Sequence, residues 1–515
     1  MALFAICAMA MVIGSYVFVL LMAAACIFLP YFFLTNAESL NVQVLFLFLF
    51  GIVIAGALLW SLIPRRDKFE PPGMLLDRKA HPRLFIELEN IASALNEPLP
   101  REVYLIGAPN AFVADRGGVM GFGSRRIMGL GLPLLSLLTV SQFRAVLAHE
   151  FAHYYGGDTS LGPWVYKTKT SMARIFENIG SVRQLARIAV LGIMYIVVAT
   201  LLKWYFIAFL RVINLISRKQ EYRADELACL IAGRQNLIDG LQSIHRATVA
   251  WPHYWKNEVA PSLSEGSLPA IGDGFLRFLT APQISAAISK GFATRLQEER
   301  TQPNDTHPPL RDRIAAAEKL PDCAAPQNTQ FASTLLDNLA GTELGFVEKC
   351  VAEIKPGSLK YVAWDDVATQ VTIPLWERFV AEYAEHLGGV TAESIPDYVS
   401  KFPQIGSRIR DPKGMLLSPP QRTARAGILF ASALSLAMLR AGWKLEIQPA
   451  SFHMRRDNQE FNPFDAINKL MAGKITRQDW LNFCSQFEIS GLPLLQEARD
   501  ESLPQQAQLF SSDGD

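Results

Sequence analysis

"LAHEFAHYYGG", residues 147–157, places two histidines four residues apart with a glutamate directly after the first. On a helix, residues i and i+4 lie about 40° apart around the axis and one turn along it. The imidazoles of His149 and His153 can therefore converge on one metal ion. Glu150 lies about 100° further round, close enough to hold a metal-associated water without being a ligand. Zinc used in catalysis keeps one position open and takes three protein ligands. Two incidental histidines on an ordinary helix would show the same spacing, so the third ligand decides the reading.

The helix is well signalled. Thr139, followed three residues later by Gln142, is a capping-box start. Phe143, Val146, Leu147, Phe151 and Ala152 continue the run, and Gly156-Gly157 predict its end. His149, Glu150 and His153 then sit inside it. No histidine occurs between Tyr154 and Ser160, so the third ligand is a His, Glu or Asp from another element. Downstream, "SRKQEYRADELACL" (217–230) carries Glu221 and Asp225 one turn apart on a long helical run. Glu221 can supply a carboxylate ligand. Asp225 can accept the outer N–H of a ligating imidazole and fix its tautomer.

The flanking sequence speaks for a membrane. Residues 3–34 and 42–62 are free of charge, and about 20 apolar residues suffice for a helix to cross the hydrocarbon core. The first run is too long for a signal-peptide core and lacks a basic leader, so it reads as a retained span. Arg65-Arg66-Asp67-Lys68 follows the second run. By the positive-inside rule the two spans form a hairpin, with residue 65 onward in the cytoplasm. Half of the 515 residues are hydrophobic and 19% are charged, which is apolar for a soluble enzyme. The formal net charge of +1 gives no sign of a nucleic-acid partner. Six cysteines without CxxC spacing read as unpaired thiols.

A third apolar stretch, 188–216, is interrupted by Lys203 and Arg211 and lies between His153 and Glu221. A single crossing there would put the ligands of one site on opposite sides of the membrane. Two full crossings do not fit its length. The reading favoured is a membrane-embedded or membrane-lying helical hairpin, with residues 160–186 as its more polar arm. Residues 427–439 are too short to span and, flanked by Arg425 and Arg440, read as a buried core helix.

Between these landmarks, residues 82–95 show helical periodicity. Short β-type runs follow at 102–106, 111–114, 119–123 and 126–131. Residues 301–309 read as a loop. Beyond 330, helical and strand-like pieces alternate, with 360–373 and 444–449 as strand-like examples. The last fifteen or so residues have the Gln, Ser and Asp content of a disordered tail.

Four separated segments resemble, in the right order, the HtpX and CAAX-prenyl-endopeptidase family of membrane-bound zinc peptidases. "PLPREVYLIGAPNAFVADRG" (98–117) is similar to the strand and Asn-Ala-Phe segment ahead of the family's active-site helix. "LLTVSQFRAVLAHEFAHYYGGD" (137–158) is similar to that helix. "SRKQEYRADELA" (217–228) and "THPPLRDRIAA" (306–316) complete the set. The resemblance covers about residues 80–320. It implies His149, His153 and Glu221 as ligands of one Zn²⁺ and Glu150 as general base. It places His307 and Arg313 near the site as oxyanion stabilisers, and Asn110, Ala111 and Phe112 on a strand that binds the substrate backbone. Family members usually show two hydrophobic segments where this chain has 188–216, and the region after 330 has no counterpart.

The expected fold class is mainly α with a small β-sheet: a zincin-type catalytic domain behind an N-terminal transmembrane hairpin, with a C-terminal α+β extension. The expected parts are 1–64 (two spans), 65–330 (peptidase), 331–500 (extension) and 501–515 (tail). The implied function is a zinc endopeptidase of the bacterial inner membrane with a cytoplasmic site, acting on membrane-associated proteins in quality control. A non-cleaving membrane scaffold that keeps the fold is the alternative; the intact Glu150 speaks against it. A CAAX-type processing enzyme would enclose a chamber with more spans than are present.

Overall fold

The computed structural model describes residues 2–36, 42–63, 68–118, 123–154, 162–182, 189–299, 307–323, 325–410 and 417–495. The expected run at 119–123, the basic cluster at 65–67, most of the 301–309 loop and the C-terminal tail fall wholly or largely outside them. The chain forms two compact units: Met1–Pro261 with Ala270–Tyr361, and Ser262–Pro269 with the chain from Val362 onward.

The first unit opens with two apolar helices, α1 (Ala2–Thr35) and α2 (Val42–Leu62). They approach so closely that a Cβ at Gly51 would stand 2.0 Å from the carbonyl oxygen of Cys26. They share one apolar cluster with α6 (Gly162–Val182) and α7 (Ala189–Ala232): Ala23, Ile54, Ile175 and Val198 all belong to it. Asn178 of α6 donates to Ser61 Oγ of α2 at 2.8 Å. Large apolar side chains such as Leu21, Phe28, Phe46, Ile193 and Trp204 point outward. That is the inverse of a soluble surface and suits lipid. The chain is an integral membrane protein by these helices.

Between α2 and α6 lies the small sheet. Its strands are β1 (Met74–Leu75), β2 (Glu102–Ile106), β3 (Ala111–Arg116) and β4 (Arg125–Gly131), in the order β1-β2-β4-β3. Only the β2–β4 pair is parallel. β3 is therefore an edge strand. Phe112 lies opposite Gly129, and a Cβ there would meet its ring at 2.3 Å. The glycine thus lets the ring lie across the sheet. α3 (Pro82–Ala94) follows β1 in the chain and buries Leu84 and Leu88. β4 runs directly into α4 (Leu132–Leu137) and then α5 (Val140–Ala152).

The capping box at α5 forms as the sequence predicts: Thr139 Oγ1 accepts from the Gln142 amide at 3.2 Å, and Gln142 Oε1 accepts from the Thr139 amide at 3.0 Å. The other end differs. α5 stops at Ala152, and His153 is its C-cap rather than an interior residue. The Tyr154 amide bonds back only three residues, to Phe151, so the last turn tightens ahead of the glycines. His153 keeps helical dihedrals (φ −60°, ψ −21°), so the four-residue spacing still works.

The 188–216 stretch is part of α7, one continuous helix of 44 residues. Lys203 and Arg211 are exposed on it. The preceding polar arm is α6. Phe176 and Phe206 face each other across the two helices, 5.5 Å between ring centroids. The pair leaves from the end of α5 and returns to the site with the last third of α7. That meets the requirement that His153 and Glu221 share one side.

The amides of Val140 and Ala332 bond to the carbonyls of Gln330 and Leu138, both at 2.8 Å. Residues 331–361 thus pack with the first unit, beyond the expected boundary at 330. The core of the second unit gathers around the helix Pro419–Arg440, whose Leu429, Phe430 and Leu434 are fully buried. This helix is long and apolar enough to cross a membrane, but its apolar face is spent on that core, as expected for 427–439. Strand Lys444–Gln448 also forms. The expectation for 360–373 is corrected: only Lys360–Val362 is a strand, and helical turns follow from Trp364. Trp364, Val367, Ala368 and Val371 are the buried positions. Their spacing of three or four residues is helical and overrides the β-branched content. All six cysteines are free thiols.

Candidate metal centre

α5 stands in the middle of the first unit. It presents His149 and Glu150 from its last turn and His153 from its cap. α7 crosses it and presents Glu221. The donor atoms of His149, His153 and Glu221 lie within 4.8 Å of one another. His149 Nε2 and His153 Nε2 are 3.2 Å apart, His153 Nε2 and Glu221 Oε1 3.4 Å, and His149 Nε2 and Glu221 Oε2 3.6 Å. Donors about 2.0–2.1 Å from one tetrahedral ion stand roughly 3.3–3.4 Å apart. With Glu221 turning Oε2 to His149 and Oε1 to His153, the donor set has the spacing of ligands around a single zinc-sized cation. Glu221 Oε2 is buried and accepts no well-aligned hydrogen bond, as a ligand oxygen would.

Behind the triangle the polar groups are closely matched. His149 Nδ1 is 2.9 Å from Asp225 Oδ1. Arg313, on the helix Leu310–Ala317, grips the same carboxylate with two charge-assisted bonds, Nη2 to Oδ1 at 2.6 Å and Nε to Oδ2 at 2.9 Å. Its Nη1 is 3.5 Å from Glu221 Oε2. Arg313 is buried, so it braces Asp225 and Glu221 rather than standing over the open side, where an oxyanion stabiliser belongs. His307 is different: its side chain is 67% exposed, with Nδ1 3.0 Å from Glu221 Oε2.

Burial dominates the electrostatics. It pushes the Glu150 carboxyl up to about 7, against the attraction of His149. Burial and the charge of Arg313 work to lower His149, but the adjacent carboxylates of Asp225 and Glu221 outweigh them and hold it at about 9. Burial and the neighbouring His149 bring His153 down to about 4.

The centre opens into a cleft of about 620 Å³. Asn110, Ala111, Phe112, His149, Glu150, His153, Glu221, His307 and Arg313 all line it. Asp225 alone of the expected residues stands outside its wall. Pro308, Pro309, Leu237, Leu241, His245 and Glu299 also line the cleft. Of these only the Pro-Pro step, next to His307, had a sequence signal; the others are ordinary helix-face residues until α8 (Arg234–Tyr254) is folded against α5.

Residues 79–320 match the profile of Peptidase family M48. Protease HtpX of Stutzerimonas stutzeri is 32% identical over 189 residues, covering 36% of this chain and 55% of that protein. The Protease HtpX homolog of Prosthecochloris aestuarii is 25% identical over 241 residues, covering 43% and 66%. That of Chlorobium phaeobacteroides is 25% identical over 325 residues, covering 58% and 89%. The chain thus spans less than two thirds of the length of the first two. A crystal structure of S. mikatae Ste24p overlaps 60% of this chain and 63% of its own at 15% identity, with a TM-score of 0.25, too loose to bear on the fold. Over residues 79–320, the stretch that carries His149, Glu150, His153, Glu221 and Arg313, the chain matches the Peptidase family M48 profile and is similar to HtpX proteases.

Proposed function

We propose that this protein is a membrane-anchored zinc endopeptidase. The observation that carries the reading is the donor triangle at 3.2, 3.4 and 3.6 Å with Glu150 beside it. His149, His153 and Glu221 would hold the zinc, and Asp225, braced by Arg313, fixes the His149 tautomer. A zinc ion held there supplies a Lewis acid for a peptide carbonyl and for the attacking water. Glu150 accepts the proton of that water and hands it to the leaving amine. The edge strand β3 receives an extended substrate as an added strand, with Asn110, Ala111 and Phe112 lining the same cleft. His307, on the open side, is the remaining donor for developing negative charge. Arg313 acts through Asp225 and Glu221.

The apolar helices, the Arg65-Arg66 cluster and the HtpX relatives support a cytoplasmic site on a bacterial inner membrane, with membrane-associated proteins as substrates and quality control as the role. The test measures bound zinc and cleavage of casein or a membrane substrate by wild type and Glu150→Gln. Loss of cleavage with zinc retained is expected. No zinc in the wild type, or equal cleavage by both, would favour a non-cleaving scaffold instead.

A further inference from the structure

A second cavity, of about 740 Å³, lies between α8 and the helix Pro282–Glu298. No residue of that helix is buried. Its half-buried side chains are Ile284, Ile288, Phe292 and Leu296, an unbroken every-fourth-residue stripe facing the cavity. An amphipathic helix ordinarily closes such a stripe on its neighbour. Here Val249 and Phe278 stand across an open space instead. The Arg246 guanidinium lies 5.1 Å from the Phe292 ring centre, at the edge of the gap. The volume falls within the roughly 300–1,000 Å³ of ligand sites, and the lining is predominantly apolar.

His245 and Glu299 line both this cavity and the cleft of the metal centre. Glu299 Oε2 also accepts from the Leu310 amide at 3.1 Å. It thereby ties the end of the stripe-bearing helix to the helix that carries Arg313. The cavity therefore adjoins the cleft, with these two residues at their common wall.

We propose that it is a substrate subsite, taking bulky apolar side chains of the polypeptide to one side of the bond to be cut. This rests on the peptidase reading and adds a preference to it: chains with Leu, Ile or Phe near the cut, such as exposed segments of unfolded or membrane proteins. The cavity's place beside the cleft, with His245 and Glu299 lining both, favours a peptide over a free lipid or a second copy of the chain.

The test uses the full-length Glu150→Gln chain in lipid nanodiscs and a peptide with a benzophenone side chain, irradiated and mapped by mass spectrometry. Adducts are expected at Val249 and along 282–298. A Leu/Phe-containing competitor and Ala287→Trp, which places an indole in the cavity from an exposed position, should both suppress them. A Ser/Asp counterpart should not. In the cleaving chain, Ala287→Trp should lower kcat/KM about tenfold for the apolar peptide, through KM, and leave a small-residue peptide unchanged. Adducts elsewhere, adducts displaced by added lipid but not by peptide, or equal loss for both peptides would overturn the subsite. None of these touches the peptidase reading, which fails separately if the wild type neither binds zinc nor cleaves.

Discussion

Asp225 shows how a single side chain gains its role from its neighbours. It accepts from His149 and from two nitrogens of Arg313. Asp225→Asn should keep the shape but weaken zinc binding about 10–100-fold, read by competition with a chelator. Arg313→Ala leaves two buried carboxylates without their cation, so a stability loss of about 3–5 kcal/mol is expected, read by denaturant unfolding. If Arg313 instead served the reaction alone, the variant would lose activity at unchanged stability. Glu150 can act as a base only when ionised, and burial holds its carboxyl at about 7. A cation beside it favours the ionised form and draws that value down. Activity should therefore fall with falling pH, with the acid limb at or below about 7. Zinc occupancy should fall on the same side, because protons compete for the two imidazoles. A pH–rate profile alongside zinc content at each pH separates the two effects.

At the scale of elements, α5 is defined at one end by local sequence and at the other by its surroundings. Thr139 and Gln142 cap each other without help. Thr139→Ala should cost about 1 kcal/mol, visible as a lower melting temperature with zinc affinity little changed. The C-terminal end stops before Gly156-Gly157, a point the glycines could not locate. The strand β4 carries a glycine that only its partner explains: Gly129 makes room for Phe112. Gly129→Val should push the ring toward the cleft and depress cleavage while zinc stays bound. Wild-type kcat/KM in that variant would show the ring to be unimportant. The 360–373 segment went the other way, from strand-like letters to helical turns, because burial of Trp364 and Val371 selected the period.

Across the whole molecule, one chemical demand fixes the topology. His153 and Glu221 meet in one cluster, and α6 and α7 lie against each other between them in the chain. Reporter fusions after Lys68 and Tyr361 should report one side, and a fusion after Asn36 the other. Agreement of all three would break the hairpin of α1 and α2. The sequence by itself determined the apolar spans, the capped helix and the pairing of His149 with His153, since these depend on composition, on caps and on residues one helical turn apart. The burial of 427–439 was expected from a length too short to span, but the helix that forms, Pro419–Arg440, is long enough, and it is its packing in the second unit's core that buries it. Only the tertiary structure decided that Arg313, at the wall of the cleft, is buried against Asp225. It also decided that 331–361 pack with the first unit, and that a second cavity lies beside the first. Each of these depends on contacts between residues about ninety to two hundred positions apart, such as Asp225 with Arg313 and Leu138 with Ala332. No local period in the chain records such contacts; the packing of α7 and α8 against α5 creates them.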